Sequence, residues 1–178
     1  MVTGNVFTGE GNYGKAVVVK GKPSHAEILQ HTLRETDKRE CMISNVTPWR
    51  ALMTPLQNKE AETFTALVDG EPVMMFGAVP EHDLVGSIWM LCSEVVDKHP
   101  KTFIKWSPAF LDYFQQKYFL LQNVCPVEHY KTLTWLGYLG FMIMPKSFDL
   151  NGHQVLRFVR CQDIDFMQFN DDIRPVIS

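Results

Sequence analysis

The sequence lacks most of the features that assign a protein to a class at sight. None of its apolar runs approaches the ~20 residues that a membrane-crossing helix requires. The start, MVTGNVFTGEGNYGK, has no charged stretch followed by an apolar one, so no secretion signal is read there. Cysteine is sparse: Cys41, Cys92, Cys125 and Cys161 are far apart and form no CxxC pair. A disulfide framework or a zinc site is therefore not expected, and a reducing compartment suits the chain. Basic runs are missing too. A net charge of −3 and a pI near 6.0 leave no electrostatic footprint for nucleic acid. No HExxH, GxSxG or P-loop pattern occurs. His25 and His31 are six apart, the wrong spacing for two ligands on one helix face, and His82 with Asp83 falls in a polar turn. The chain is thus expected to have neither nucleic acid nor a membrane as partner.

With 46% hydrophobic and 21% charged residues in 178, the composition is that of one folded domain, which excludes wholesale disorder. Residues 1–14, rich in Gly, Asn and Thr, read as a flexible arm. KAVVVKGK (15–22) reads as a strand. Pro23 and Ser24 open a helix running to Leu33, with Ser24 as its cap, and the charged residues from Arg34 to Glu40 read as an exposed continuation. Thr47 caps a second helix that has Pro48 at its first position and carries Trp49, Leu52 and Met53. Strands over 62–70 and 71–80 flank Asp69-Gly70, a strong hairpin signal, and a third follows at 85–93. Phe103, Trp106, Phe110, Leu111 and Phe114 share one face of a helix over 100–118, which Pro108 should kink. A strand over 119–126, a helix over 127–139 and a final hairpin across Asp149 to Gly152 complete the domain, which spans 15–162. Met74, Met75, Met142 and Met144 alternate in strands and read as core filler.

The order β-α-α-β-β-β-α-β-α-β-β defines an α/β fold with a mixed central sheet and helices on both faces. Residues 163–178 form a tail in which Phe166, Met167 and Phe169 stand among acids, a candidate docking segment for a partner or a second copy.

The stretch Cys125 to Met144, CPVEHYKTLTWLGYLGFMIM, resembles the Gcn5-related N-acetyltransferase (GNAT) family. There a strand is followed by a helix that closes on Leu-Gly-Phe, here Leu139-Gly140-Phe141. More narrowly, Asp69 to Val73 leading into MMFGAVP, the WMLCSEVVDKHPKTF segment, and Thr134 to Phe141 resemble small GNAT-like proteins of short-tailed bacteriophages. Those proteins are described as virion or morphogenesis components. The resemblance implies a GNAT-like fold in which the strands at 85–93 and 119–126 run parallel and splay at their C-terminal ends, with Pro126 at the splay.

It also implies where acetyl-CoA would sit: against Leu91 and Cys92 at a strand end, and against Lys98, His99 and Lys101 at the start of the next helix. The family's diphosphate loop carries glycines that let backbone N–H groups approach the anion. The loop here, Ser93 to Lys101, has none; Val95 and Val96 resist the needed backbone, and Glu94 and Asp97 oppose an anion. The tyrosine that many members place four residues before the glycine of Leu-Gly-Phe is Leu136 here, and Tyr138 and Tyr130 fall on other faces. His129 stands where the family often has asparagine and is the candidate catalytic acid or base, or else a helix-start histidine bonded to backbone.

The expectation from sequence is a phage GNAT-like protein acting through protein contacts, in the virion or the host cytoplasm, with a degenerate acetyl-CoA site and no cofactor. A virion or host protein is its partner, and a homo-oligomer is possible. The alternative is an active acyl-CoA-dependent N-acyltransferase with a non-standard cofactor loop.

Overall fold

A computed structural model describes residues 7–11, 14–98 and 100–162. The chain begins with β1 (Phe7–Gly11) and β2 (Gly14–Lys20), then three helices, α1 (Pro23–Leu29), α2 (Glu35–Ile43) and α3 (Pro48–Gln57). A meander follows: β3 (Glu62–Val68), β4 (Glu71–His82) and β5 (Val85–Cys92). A one-turn helix α4 (Val95–Lys98) and the long α5 (Pro100–Lys117) lead to β6 (Leu120–Pro126). The last elements are α6 (Tyr130–Tyr138), β7 (Met142–Ile143), β8 (Phe148–Leu150) and β9 (His153–Cys161). The strands form one sheet in the order β1-β2-β3-β4-β5-β6-β9-β7, with β8 also on β9.

The turns follow from their residues. Asp69 (φ 52°) and Gly70 (φ 89°) make a two-residue turn with both residues left-handed, the form whose twist matches a hairpin. Asn151 (φ 53°) and Gly152 (φ 84°) repeat it between β8 and β9. Pro23 occupies the first turn of α1, so Ser24 lies inside that helix rather than capping it, and the helix stops at Leu29 instead of Leu33. Thr47 does cap α3, its hydroxyl accepting from Arg50 N–H at 3.3 Å. At Gly140 (φ 82°) the helix α6 closes with two bonds, Phe141 N–H to Leu136 C=O and Gly140 N–H to Gly137 C=O, both at 3.0 Å.

The sheet is covered on both sides, as the element order implies. On one face Phe103, Phe110, Leu111 and Phe114 of α5 are buried against Phe64 and Phe76, with ring centroids of Phe76 and Phe110 4.7 Å apart. The other face packs Leu29, Cys41 and Leu52 from α1–α3 on Met75 and Leu91. Met74 and Met75 are adjacent in β4 and serve opposite cores, as strand alternation requires. Met142, by contrast, is 44% exposed at the sheet edge and fills no core.

Two further differences from the sequence reading have local causes. Residues 7–11 pair antiparallel with 14–18, so that part of the expected arm extends the sheet. The charged run from Arg34 to Glu40 is not an exposed continuation: Asp37 (2% exposed), Cys41 and Ile43 are the inner side of α2. Pro108 lies inside α5, where the sequence reading placed it. The tail from 163 to 178 lies outside the described residues.

One pairing matters most for function. All neighbours in the sheet are antiparallel except β5 and β6, which a helical crossover joins in parallel. Their pairing covers only Val85↔Leu120, Gly86↔Leu121 and Ser87↔Gln122. Beyond that point β5 stays with β4 to Cys92, while β6 stays with β9 to Pro126.

Candidate functional site

The divergence of β5 and β6 opens a fork in the middle of the sheet. At its crotch Asn123 Nδ2 donates to the Ile88 carbonyl at 2.5 Å, bridging the first unpaired positions. Beyond the bridge lies a cavity of about 160 Å³. Trp89, Met90 and Leu91 form one wall, and Asn123, Val124 and Pro126 the other. Residues of α2 and α3, among them Glu40 and Ala51, close one side, and Leu150 and Val155 another. The splay and the position of Pro126 are those expected from the resemblance. Glu40 is the charged side chain that faces the cavity among the described residues.

Glu40 meets His129 there. His129 precedes α6, where its backbone N–H bonds the Pro126 carbonyl at 3.0 Å. Its ring makes no cap; Nδ1 lies 2.8 Å from Glu40 Oε1, across 89 positions of sequence. The alternative of a histidine bonded to backbone is thereby replaced by a carboxylate–imidazole pair. The side chains are 10% (His129) and 34% (Glu40) exposed, so the pair is half-sheltered beside the cavity. Burial raises the carboxyl of Glu40 above its ordinary range, against the pull of His129. Cys125 lies beside them, with its Sγ and the two other donor atoms all within 4.8 Å of one another. Burial, then Glu40 and Glu128, push its thiol up to about 12, so it is protonated near neutral pH. These three residues form the donor set that could hold a metal among the described residues. Two of the three donors are already engaged with each other.

The other end of β5 carries the expected cofactor loop. Ser93 and Glu94 lead straight into α4, so the loop is one helical turn rather than an open glycine arch. Asp97 is not a lone charge there: Arg34 donates to it at 2.8 Å. Arg34 also holds Asp37, at 2.5 and 3.3 Å, and its backbone N–H bonds the Cys92 carbonyl at 2.9 Å. Burial raises the carboxyl of Asp37 even so, with Arg34 opposing. Backbone and side chain of Arg34 thus tie the α1–α2 junction to the tip of β5 and to α4, with its single positive charge shared between Asp97 and Asp37.

Of the residues expected to touch a cofactor, Leu91 lines the cavity and Cys92 is fully buried in the core. Lys98 and Lys101 are exposed on either side of His99, which lies outside the described residues. Leu136 is 4% exposed and packs in the main core, while Tyr130 and Tyr138 point to solvent at 68% and 86%. No tyrosine of α6 reaches the fork. The sequence reading missed Glu40. It sits in a run of charges whose burial pattern, Asp37 and Cys41 inward, is invisible to a hydrophobicity count.

No family model and no curated protein matches the sequence. Solved structures do match the fold. A ribosomal L7/L12 alpha-N-protein acetyltransferase, RimL, in complex with coenzyme A superposes with a TM-score of 0.62 at 12% identity, over 82% of this chain and 93% of its own. An acetyltransferase of the GNAT family from Bacillus anthracis gives 0.63 at 9% identity, over 87% and 98%. AAC(6')-Ib in complex with ribostamycin and coenzyme A gives 0.63 at 12% identity, over 88% and 98%. Identities this low carry the architecture, not the activity: the chain has the GNAT acetyltransferase fold.

Proposed function

We propose that the protein is an acyl-CoA-dependent N-acyltransferase whose amine acceptor enters the cavity beside Glu40 and His129. The observation that carries this reading is the fork between β5 and β6 with a cavity directly behind it. Structural neighbours solved with coenzyme A support it. The expectation of no cofactor rested on the glycine-free loop and its two acids. The pairing of Asp97 with Arg34 weakens the electrostatic half of that case. What remains for the diphosphate is Lys98 and Lys101, two exposed cations near the start of α5.

Bound acyl-CoA would supply an activated carbonyl. The residues of the chain do the rest. The walls of the cavity would hold the amine. The Glu40–His129 pair, 2.8 Å apart, accepts the proton that the amine loses as its new C–N bond forms. Leu136 offers no proton, so coenzyme A would leave as its thiolate and be protonated once released.

A thiol-release assay with acetyl-CoA and a panel of amines tests the reading. Glu40→Gln and His129→Gln are expected to lower turnover by roughly 100-fold, the usual worth of a positioned proton acceptor, with Tyr138→Phe unchanged. Lys98→Ala with Lys101→Ala raises the KM for acetyl-CoA. No turnover with any amine, together with an unchanged melting temperature in millimolar acetyl-CoA, sinks it.

That outcome would favour the second reading, a GNAT-like phage component acting through protein contacts. Its specific support is Leu136 in place of a tyrosine, with Met42, Val46 and Trp49 exposed on α2, α3 and their junction at 62%, 39% and 39%.

A further inference from the structure

The fork brings a sulfur, a ring nitrogen and a carboxylate to one point from distant parts of the chain. Cys125 stands near the end of β6 and His129 at the entry to α6, with Pro126, Val127 and Glu128 between them. Glu40 comes from α2. Two neighbouring contacts hold α2 to this turn: Arg39 pairs with Glu128 at 2.8 Å, and Glu40 with His129 at 2.8 Å. The donor atoms of Cys125, His129 and Glu40 all lie within 4.8 Å of one another. A tetrahedral zinc ion, with bonds of roughly 2.0–2.3 Å, sets such atoms roughly 3.3–3.6 Å apart. The Glu40–His129 contact is somewhat shorter than that and the outer limit of the set somewhat wider, so small side-chain rotations bring all three onto one ion.

Charge and access fit the same ligand. Cys125 is buried, and its thiol donates weakly to the Pro126 carbonyl at 3.7 Å. A thiolate and a carboxylate carry two negative charges and a neutral imidazole none. A dication therefore makes a neutral complex in a place only partly open to water. Glu40 lines the cavity, so a fourth position on the ion faces open space. Sulfur and imidazole favour ions of the zinc type over magnesium or calcium, which take oxygen ligands.

We propose that Cys125, His129 and Glu40 form a three-ligand site for a divalent transition-metal ion of the zinc type, with its fourth position open to the cavity. Cys125 gives up its proton to solvent as the metal–sulfur bond forms, and the ion takes the place of the proton shared by Glu40 and His129. No paired-cysteine pattern announces the site, because its carboxylate stands 89 positions from its histidine. The site does not depend on the transferase reading, yet both use the same pair. A bound ion occupies the atoms assigned there as proton acceptor, so loading switches acyl transfer off.

The experiment strips the full chain with a chelator and titrates it with Co²⁺, Zn²⁺ and Mg²⁺. Co²⁺ is expected to saturate one site per chain, with the visible bands of a tetrahedral ion and a thiolate-to-metal charge-transfer band. Zn²⁺ abolishes these bands by displacement and Mg²⁺ does not. Cys125→Ser removes the charge-transfer band and weakens Zn²⁺ at least about tenfold, the loss that even an outer partner of a metal ligand brings. Cys161→Ser changes neither. Where a buried serine prevents folding, Glu40→Gln, at a part-exposed side chain, carries the test: Zn²⁺ weakens as much and the charge-transfer band stays. A missing charge-transfer band overturns the proposal, as does Zn²⁺ binding unchanged in Cys125→Ser or, in its place, Glu40→Gln. Metal binding at this site without acyl transfer by the stripped protein overturns only the transferase reading. Acyl transfer without metal binding overturns only the metal site.

Discussion

Glu62, at the start of β3, has three partners: the Tyr113 hydroxyl at 2.5 Å, Lys20 at 3.2 Å and Lys117 at 3.7 Å. Burial pushes its carboxyl up, but Tyr113, Lys20 and Lys117 together outweigh it and hold it below its ordinary value of 4.5. A carboxyl lowered in the folded state stabilises above its unfolded value and loses that contribution as pH falls through the folded one. Glu62→Gln therefore lowers the melting temperature near pH 7, and the difference from the parent protein shrinks on acidification below about pH 4. Leu136 is the converse case. Restoring a tyrosine there puts a larger ring with a hydroxyl into a site only 4% exposed. Leu136→Tyr is expected to cost about 1–3 kcal/mol in denaturant unfolding and to bring no gain in turnover. At this scale the sequence told half the story. The loss of the tyrosine was legible, because it is a matter of residue type at a fixed distance from Gly140. Glu40 was not, because its partner His129 is 89 positions away and only the packing of α2 brings them together.

Among the elements, those set by turn chemistry were the most legible. Asp69-Gly70, Thr47-Pro48 and Leu139-Gly140-Phe141 each form the local structure that their residue types demand. Elements decided by tertiary contact were not. α4 is a single turn too short to show a period, and β7 and β8 are edge pieces defined by their pairing with β9. Gly77 exposes a constraint of the same tertiary kind. A Cβ there would stand 2.0 Å from the Glu62 carbonyl of the paired strand. Gly77→Ala must shift β3 against β4, and a loss of about 3 kcal/mol or more is expected by chemical denaturation. Gly70→Ala makes the control: its Cβ would meet nothing within 4 Å, so its cost comes from the left-handed backbone alone.

For the molecule as a whole, the order of strands and helices implied a mixed sheet with two covered faces, and the family resemblance implied the splay of one parallel pair. The cavity behind that splay was beyond reach, since it is bounded by α2, α3, β5, β6, β8 and β9, six elements drawn from most of the chain. Arg34 sets a relation between the two ends of the site. It holds Asp97, beside the cations proposed for the diphosphate, and Asp37, one turn before Glu40 on the helix that closes the cavity. The two substrates proposed above would therefore bear on one shared hinge pin. An anion that repels Asp97 or draws Arg34 toward itself would alter the tether of α2, and an amine that settles α2 would alter the tether of the loop. Linkage makes such an influence reciprocal, of equal size in both directions. Asp97→Ala, far from the amine, is expected to abolish the change in amine affinity that acetyl-CoA produces while leaving amine affinity alone nearly intact, as paired calorimetric titrations with and without acetyl-CoA would read. A protein that has given up the glycine arch would in this way have its substrates sense each other through a single side chain.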